Sequence, residues 1–453
     1  MSLVIILLAV VVFIVIATAK LNLHPFFVLL AASFLAAFAY GLPLEDTAGI
    51  ITDGFGGILG YIGLVIVLGT IIGVILEKSG AAISMVEAII RLIGDRFPAL
   101  TMSIIGFIVS IPVFCDSGFI IINSLKEAMG KRMAVSSVTM SVALATGLYA
   151  THTFVPPTPG PIAAAGNLGL ESNLGLVIAV GLIVAIPATL AGTLWSQLFR
   201  HVEPDLEPDE DLQELLDGDW EDLKSSYGQL PTAAQSFAPI LVPILLIAIG
   251  SLTELPGDLV GEGAVASVIT FLGNPMTALT VGLLLAIPLL KSERKTQEFS
   301  DRVSEGITAA APILLITGAG GAFGAVLSEA PVGDYLGDTL SGLGIGILVP
   351  FIVAAALKTA QGSSTVALVN GSAMMAPLLE QLGLDSEMGR TLTVMAVGAG
   401  AMTVSHANDS FFWVVSRFSR MSVGLGYRAQ TMATLLQGIV SIVMIYLLTL
   451  LLL

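Results

Sequence analysis

Apolar runs long enough to cross a bilayer recur from Val4 to Leu453, separated by short polar stretches. A spanning helix needs about 20 such residues. The pattern predicts uninterrupted spans over 3–19, 25–42, 58–76, 174–199, 237–253, 265–290, 305–328 and 430–453. Two further stretches, 135–166 and 389–418, are broken by polar, proline or glycine positions and predict discontinuous spans. Another two, 97–127 and 341–380, carry charged or polar residues halfway along, which suits re-entrant hairpins. The expected fold class is an all-α polytopic membrane protein.

Composition agrees with that reading and excludes others. Of 453 residues, 55% are hydrophobic, only 11% are charged and 48 are glycine. Soluble domains carry about a quarter charged residues, and disordered chains lack such apolar content. A balance of 18 basic against 34 acidic residues argues against nucleic-acid binding. The lone cysteine, Cys115, cannot form an internal disulfide. The first apolar run lacks a basic leader and a small-residue cleavage site, so it is expected to be retained as a helix.

Basic residues predict the orientation. Lys20, Lys78, Arg91, Arg96, Lys126, Lys131, Arg132, Arg200, Lys291, Arg294, Lys295, Arg302, Arg417, Arg420 and Arg428 all fall on one side if both termini lie outside. Hairpin 97–127 then dips in from the cytoplasm and hairpin 341–380 from outside. Arg390 is the exception. Residues 203–222 hold eleven acidic residues and no basic one, and read as a solvated linker between two halves rather than a site.

Each half carries the same series of elements: span, span, hairpin, broken span, span. The first half starts from the cytoplasm and the second from outside. Leu-Tyr-Ala-Thr-His152 stands before the first break where Met-Thr-Val-Ser-His406 stands before the second. Inverted repeats with paired broken helices point to a secondary transporter with a substrate site near the midplane.

Four polar interruptions are the candidate chemistry. Asp116, at the tip of the first hairpin, reads as a proton carrier or as the cap of a helix over 118–127. Thr151 and His152 precede four prolines in six residues, which must open the helix near Thr158 and Gly160 and expose backbone N–H groups suited to a carboxylate. Gln361, Gly362, Ser363, Ser364 and Thr365 form a donor-rich loop before a helix over 366–379, suited to a hydroxylated carboxylate. Lys358, just before it, either pairs with an anion or snorkels outward, the latter being favoured. Last, His406, Asn408 and Asp409 sit together at the second break. His24 and His201 read as interfacial. With neither an HExxH helix nor a cysteine pair, no metal site is expected.

The strings HTFVPPTPGP (152–161), GAGGAFGAVL (318–327), KTAQGSSTVA (358–367) and VSHANDSFFWVVS (404–416) resemble the gluconate permease family, the GntP-type proton symporters of the ion-transporter superfamily. The likeness runs over nearly the whole chain. It implies uptake of gluconate or a related sugar acid or hydroxy acid with protons, D-serine and glycerate being other substrates in the family. It also implies a homodimer in the bacterial inner membrane, with no cofactor beyond the coupling proton. The scaffold would comprise 1–96 and 232–340, and an elevator-like transport domain 97–202 and 341–453, joined by the linker 203–231. Substrate binding would fall to Thr151, Thr158, Gly160, Gln361, Gly362, Ser363, Ser364, Thr365 and Asn408, and proton coupling to Asp116, His152, His406 and Asp409. A sodium-coupled carboxylate transporter is the alternative within the same class. An intramembrane hydrolase would need one asymmetric Ser-His-Asp cluster, and a channel would not need hairpins of opposite entry.

Overall fold

Caps and prolines cut the apolar runs into helices. The computed structural model describes residues 2–19, 21, 23–94, 96–206, 224–251, 263–292, 294–330, 346–407 and 409–453, and among them the chain is helical without strands. The first half comprises α1 (Ser2–Ala19), α2 (Pro25–Tyr40), α3 (Leu44–Lys78), α4 (Ala81–Ile93), α5 (Pro98–Val109), α6 (Cys115–Met133), α7 (Ser137–Phe154), α8 (Pro159–Asn167) and α9 (Leu174–Ser196). The second comprises α10 (Ala233–Ser251), α11 (Ala264–Gly273), α12 (Pro275–Ala286), α13 (Lys295–Glu329), α14 (Leu348–Gln361), α15 (Ser364–Met375), α16 (Glu387–Met402), α17 (Ser410–Phe418), α18 (Val423–Gly426) and α19 (Met432–Leu452). Among the described residues five helices are long and apolar enough to cross a bilayer, or up to seven if two bent pairs each count as one span.

Both expected interruptions of spans are present. α7 ends at Phe154 and α8 begins at Pro159, with the Pro156–Pro157 bond cis between them. α16 ends at Met402 and α17 begins at Ser410. Both expected hairpin stretches are helix–turn–helix pairs, α5–α6 and α14–α15. The first five residues of the 341–380 stretch lie outside the described residues, as does most of the acidic loop.

Three elements differ from the sequence reading. The stretch 265–290 is an elbow of 71° rather than a straight span. Asn274 caps α12 by accepting from Met276 N at 3.1 Å, and Pro275 in the first turn cannot continue the ladder of α11. The stretch 58–76 belongs to the longer α3, which starts at Leu44 and bends by 45° between Gly60 and Gly63. α4 was not expected, because its 13 residues are too short to span. It is amphipathic, burying Ile83, Met85, Val86 and Ile89 while Arg91 and Leu92 face outward.

Burial sorts the helices into an inner and an outer set. Every residue of α7 from Val138 to Phe154 is buried, as are Thr391–Met402 of α16. By contrast α9 exposes Ile183, Ile186, Leu190 and Leu194, and α19 exposes Ile439, Val443, Leu447 and Leu450. Apolar side chains of this kind face lipid at little cost, so the outer helices carry the membrane contact and the broken spans form the centre.

Small residues let the inner backbones approach. A Cβ on Gly147 of α7 would lie 2.1 Å from the Ser103 carbonyl oxygen of α5, and one on Gly400 of α16 would lie 2.3 Å from the Phe351 carbonyl oxygen of α14. Thus in each half the first hairpin helix packs on the first part of the broken span. Gly147→Ala is expected to force α5 and α7 apart at about 1–3 kcal/mol. Gly56→Ala in α3, where an added Cβ meets nothing within 4 Å, is expected to leave stability unchanged or raise it. Thermal unfolding of both variants in detergent measures the difference, and equal melting temperatures would contradict this packing.

Candidate functional site

The second break cannot continue a helix ladder, so its backbone finds partners on α19 and on the turn that leads into it. Thr431 Oγ1 donates to the Ser405 carbonyl at 2.6 Å, and Ser405 N donates to Thr434 Oγ1 at 3.0 Å. Val404 takes a left-handed conformation with φ of 59°, which is costly for a β-branched residue and is held by these contacts. The path delivers Asp409 to the start of α17, where its Oδ1 accepts from Phe411 N at 3.1 Å as a helix cap.

The other carboxylate oxygen is the hub of a buried cluster. Lys358 Nζ lies 2.6 Å from Asp409 Oδ2, and the lysine is wholly buried while the aspartate is 4% exposed. Ser405 Oγ also donates to Oδ2, and the Tyr149 hydroxyl reaches it at 3.5 Å. The Lys358 ammonium donates in addition to the Gly362 carbonyl and stands 5.7 Å from the centre of the Tyr149 ring. Lys358 therefore does not snorkel. Its stem runs inward along α14, and the αL turn at Gly362, with φ of 88°, aims a carbonyl back at the ammonium.

His152 stacks parallel to Tyr149 at 6.4 Å, tilts against Phe114 at 6.1 Å, and keeps a buried Nδ1 with no hydrogen-bond partner among the described residues. Asp116 lies in the first turn of α6, which starts at Cys115 rather than Gly118, so Phe114 and not Asp116 is the capping residue. Its carboxylate is 3.6 Å from the Cys115 thiol and within electrostatic reach of Asp409. His406 is half-buried and its Nε2–H donates to the Thr359 carbonyl at 2.9 Å, beside Lys358. The match of His152 with His406 is not kept in three dimensions. His152 lies inside α7, whereas His406 lies in the open break after α16.

The hydroxyls expected to bind substrate are less available than their types suggest. Thr151 Oγ1 donates to the Phe107 carbonyl at 2.8 Å, and Thr158 Oγ1 to the Val155 carbonyl at 2.7 Å. Ser363 Oγ accepts from Val366 N at 3.3 Å, capping α15, which ends at Met375 and passes into a short 3₁₀ turn. Ser364 is buried and Thr365 half-buried behind it. Gly160 permits close packing, since a Cβ there would meet Leu368 Cδ1 of α15 at 2.8 Å. Asn408 and the Gln361 side chain lie outside the described residues. Tyr149 and Lys358 are the central residues the sequence reading did not select. The run Lys-Thr-Ala-Gln-Gly at a hairpin turn was the available signal for Lys358, and Tyr149, away from every break in a helix that also holds several serines and threonines, carried none.

A cavity of about 640 Å³ lies elsewhere, at the C-terminal ends of α8 and α15, lined by Asp53, Glu171, Glu380 and Arg390 among others. Arg390, the exception to the charge asymmetry, donates there to the Asp385 carbonyl at 2.8 Å and the Leu168 carbonyl at 3.3 Å. The cluster sits at the opposite end of α15, a helix length away.

A buried, ionisable cluster between two broken helices is the arrangement of a secondary transporter. The profile of the GntP family permeases matches residues 1–451. The chain belongs to the GntP permease family. It is 34% identical to an uncharacterized permease of Haemophilus influenzae over 90% of this chain and 83% of that one. It is 31% identical to a gluconate permease of Pseudomonas aeruginosa (96% and 94%) and 30% identical to the D-serine transporter DsdX of Escherichia coli (97% and 96%). In fold it resembles the YdaH transporter of Alcanivorax borkumensis, with a TM-score of 0.66 at 13% identity over 94% of this chain and 98% of that one. This protein is therefore a multi-pass membrane permease and not an enzyme.

Because their hydroxyls serve the backbone, Thr151→Val and Thr158→Val in this permease are each expected to cost about 0.5–1.5 kcal/mol of stability. Their apparent KM should stay within about threefold of the parent, a difference of about 0.7 kcal/mol. Thermal melts and uptake kinetics together check this, and a tenfold rise in KM without loss of stability would assign those hydroxyls to the substrate.

Proposed function

We propose that the permease imports gluconate or a related sugar acid or hydroxy acid across the inner membrane by proton symport, the proton being its only coupling agent. The observation that carries this reading is the sealed cluster around Asp409, in which ionisable groups from α6, α7, α14 and the second break meet inside an apolar bundle. Charged groups so placed are expensive and belong to ion or substrate paths. Asp116, His152, His406 and Asp409 are the groups through which the proton would pass. Gly362, Ser364 and Thr365, with Gln361 and Asn408, would frame the acid. The name of the Pseudomonas relative favours a sugar acid, and that of the Escherichia coli relative favours another small carboxylate.

The inverted-repeat reading draws support from how the halves interlock. α8, after the first break, packs on α15 of the second hairpin through Gly160 and Leu368. α17, after the second break, packs on α6 of the first hairpin, where Phe119 meets Phe411 edge-on at 6.3 Å and Lys126 Nζ donates to the Phe418 carbonyl at 3.3 Å. This reciprocal exchange is what a two-fold relation between re-entrant hairpins and broken spans would produce. On this reading the hairpins and broken spans move together as the transport domain against α3 and α13, and two such chains form a dimer. The dimer rests on the resemblance alone.

A monoanion crossing with one proton carries no net charge, so uptake into proteoliposomes is expected to follow an inward proton gradient and to need no sodium. A valinomycin-clamped potential at equal pH should drive no accumulation. Each further proton would add about 2.3 kcal/mol per 100 mV, close to fiftyfold. Strong potential-driven uptake would show more than one cation per acid, and a sodium requirement would replace the proton as coupling ion.

A further inference from the structure

The Lys358–Asp409 pair is sealed, yet only just. Thr359, Ser410 and Trp413, close to it in sequence, are exposed and His406 is half-buried, so the pair lies about a side chain beneath the surface of the bundle. Among the described residues the ammonium donates to Asp409 and to the Gly362 carbonyl, which leaves the last of its three N–H groups for another acceptor. The lysine also sits at the turn before α15, which Ser363 caps and Ser364 begins and whose N-terminal end favours an anion. A buried carboxylate is tolerated while its cation is present, and removing one partner of such a pair typically costs about 3–5 kcal/mol.

Resting on the symport reading above, we infer that the substrate carboxylate takes the place of Asp409 on Lys358, and that Asp409 takes up a proton as it loses the lysine. The species balance. The acid arrives as a monoanion and pairs with the ammonium. Asp409 binds one proton from the medium and becomes neutral. The buried charge of the cluster is the same before and after, so the occupied site carries one anion and one proton. Ser405 Oγ and the Tyr149 hydroxyl, which now meet the ionised Oδ2, can turn to the neutral acid without leaving an unpartnered oxygen. The exchange also gives strict coupling. Without the proton, the anion would leave Asp409 ionised and alone. Without the anion, Asp409 keeps the lysine and has no reason to protonate.

Asp409 is faced by Lys358 from α14, Tyr149 and His152 from α7, and Cys115 and Asp116 from α6. Lys358 is the only ammonium-bearing side chain among them, which makes it the anchor for an anion.

The test is proton uptake on binding, measured with a pH indicator in weakly buffered purified permease as gluconate is added, together with the Kd for labelled gluconate from pH 6 to pH 8. Wild type should take up about one proton per gluconate bound, and its affinity should weaken as pH rises. Asp409→Asn should still bind gluconate, with no proton taken up and a Kd that no longer depends on pH. Adding Lys358→Gln to that variant keeps the pair neutral and should raise Kd at least thirtyfold at every pH. One proton per gluconate in Asp409→Asn would overturn the assignment of the proton. A double variant that binds within threefold of Asp409→Asn would overturn that of the anion, and comparison with wild type at pH 6 decides it if the single variant cannot be purified. If wild type itself takes up no proton, the symport reading fails, while the role of Lys358 is still judged by the double variant.

Discussion

Moving an ammonium and a carboxylate out of water costs several kcal/mol for each ion, and the bundle recovers that cost only if the two meet with good geometry and their remaining donors and acceptors are served. Lys358 and Asp409 meet both conditions, at 2.6 Å, with Gly362, Ser405 and Tyr149 completing the set. Much of the surrounding architecture follows from that requirement. The second span must open so that Asp409 can cap α17, the second hairpin must turn at a glycine so that its carbonyl faces back, and α7 must place a tyrosine rather than an aliphatic residue opposite them.

The backbone raises the same problem on a larger scale. Each break frees N–H and C=O groups inside a region with no bulk water to receive them. The permease answers with side-chain hydroxyls from neighbouring helices, Thr431 and Thr434 at the second break, and with local bonds such as Thr158 to Val155 at the first. Many threonines and serines in this chain are occupied in this way. A hydroxyl in a membrane segment is thus weak grounds for a substrate contact until its own partner is known.

The two breaks have different characters as a result. The first is lined by apolar residues, with Pro156 and Pro157 facing Val65, Ile72 and Ile240, and its threonines look inward to carbonyls. The second carries His406 and Asp409 and faces Lys358. Two breaks of the same kind in the chain path therefore differ in the chemistry they carry.

Hydropathy and proline chemistry by themselves determined much of the fold: the all-helical class, most of the helices, the two breaks, the two helix–turn–helix stretches and the position of Asp409 in an opened helix. Those features depend on residues close together in the chain, since a run of apolar side chains or four prolines in six residues acts locally. The elbow at Asn274-Pro275 was equally local and legible, but the long apolar run around it masked the signal. Only the tertiary structure decided that Lys358 turns inward, that Tyr149 is its neighbour, that Thr151 serves Phe107, and that His152 and His406 stand in unlike surroundings. A lysine at a hairpin turn can reach either water or a carboxylate with the same stem. Which it does depends on whether a partner distant in sequence is delivered within 3 Å, and that is a property of packing, not of the segment.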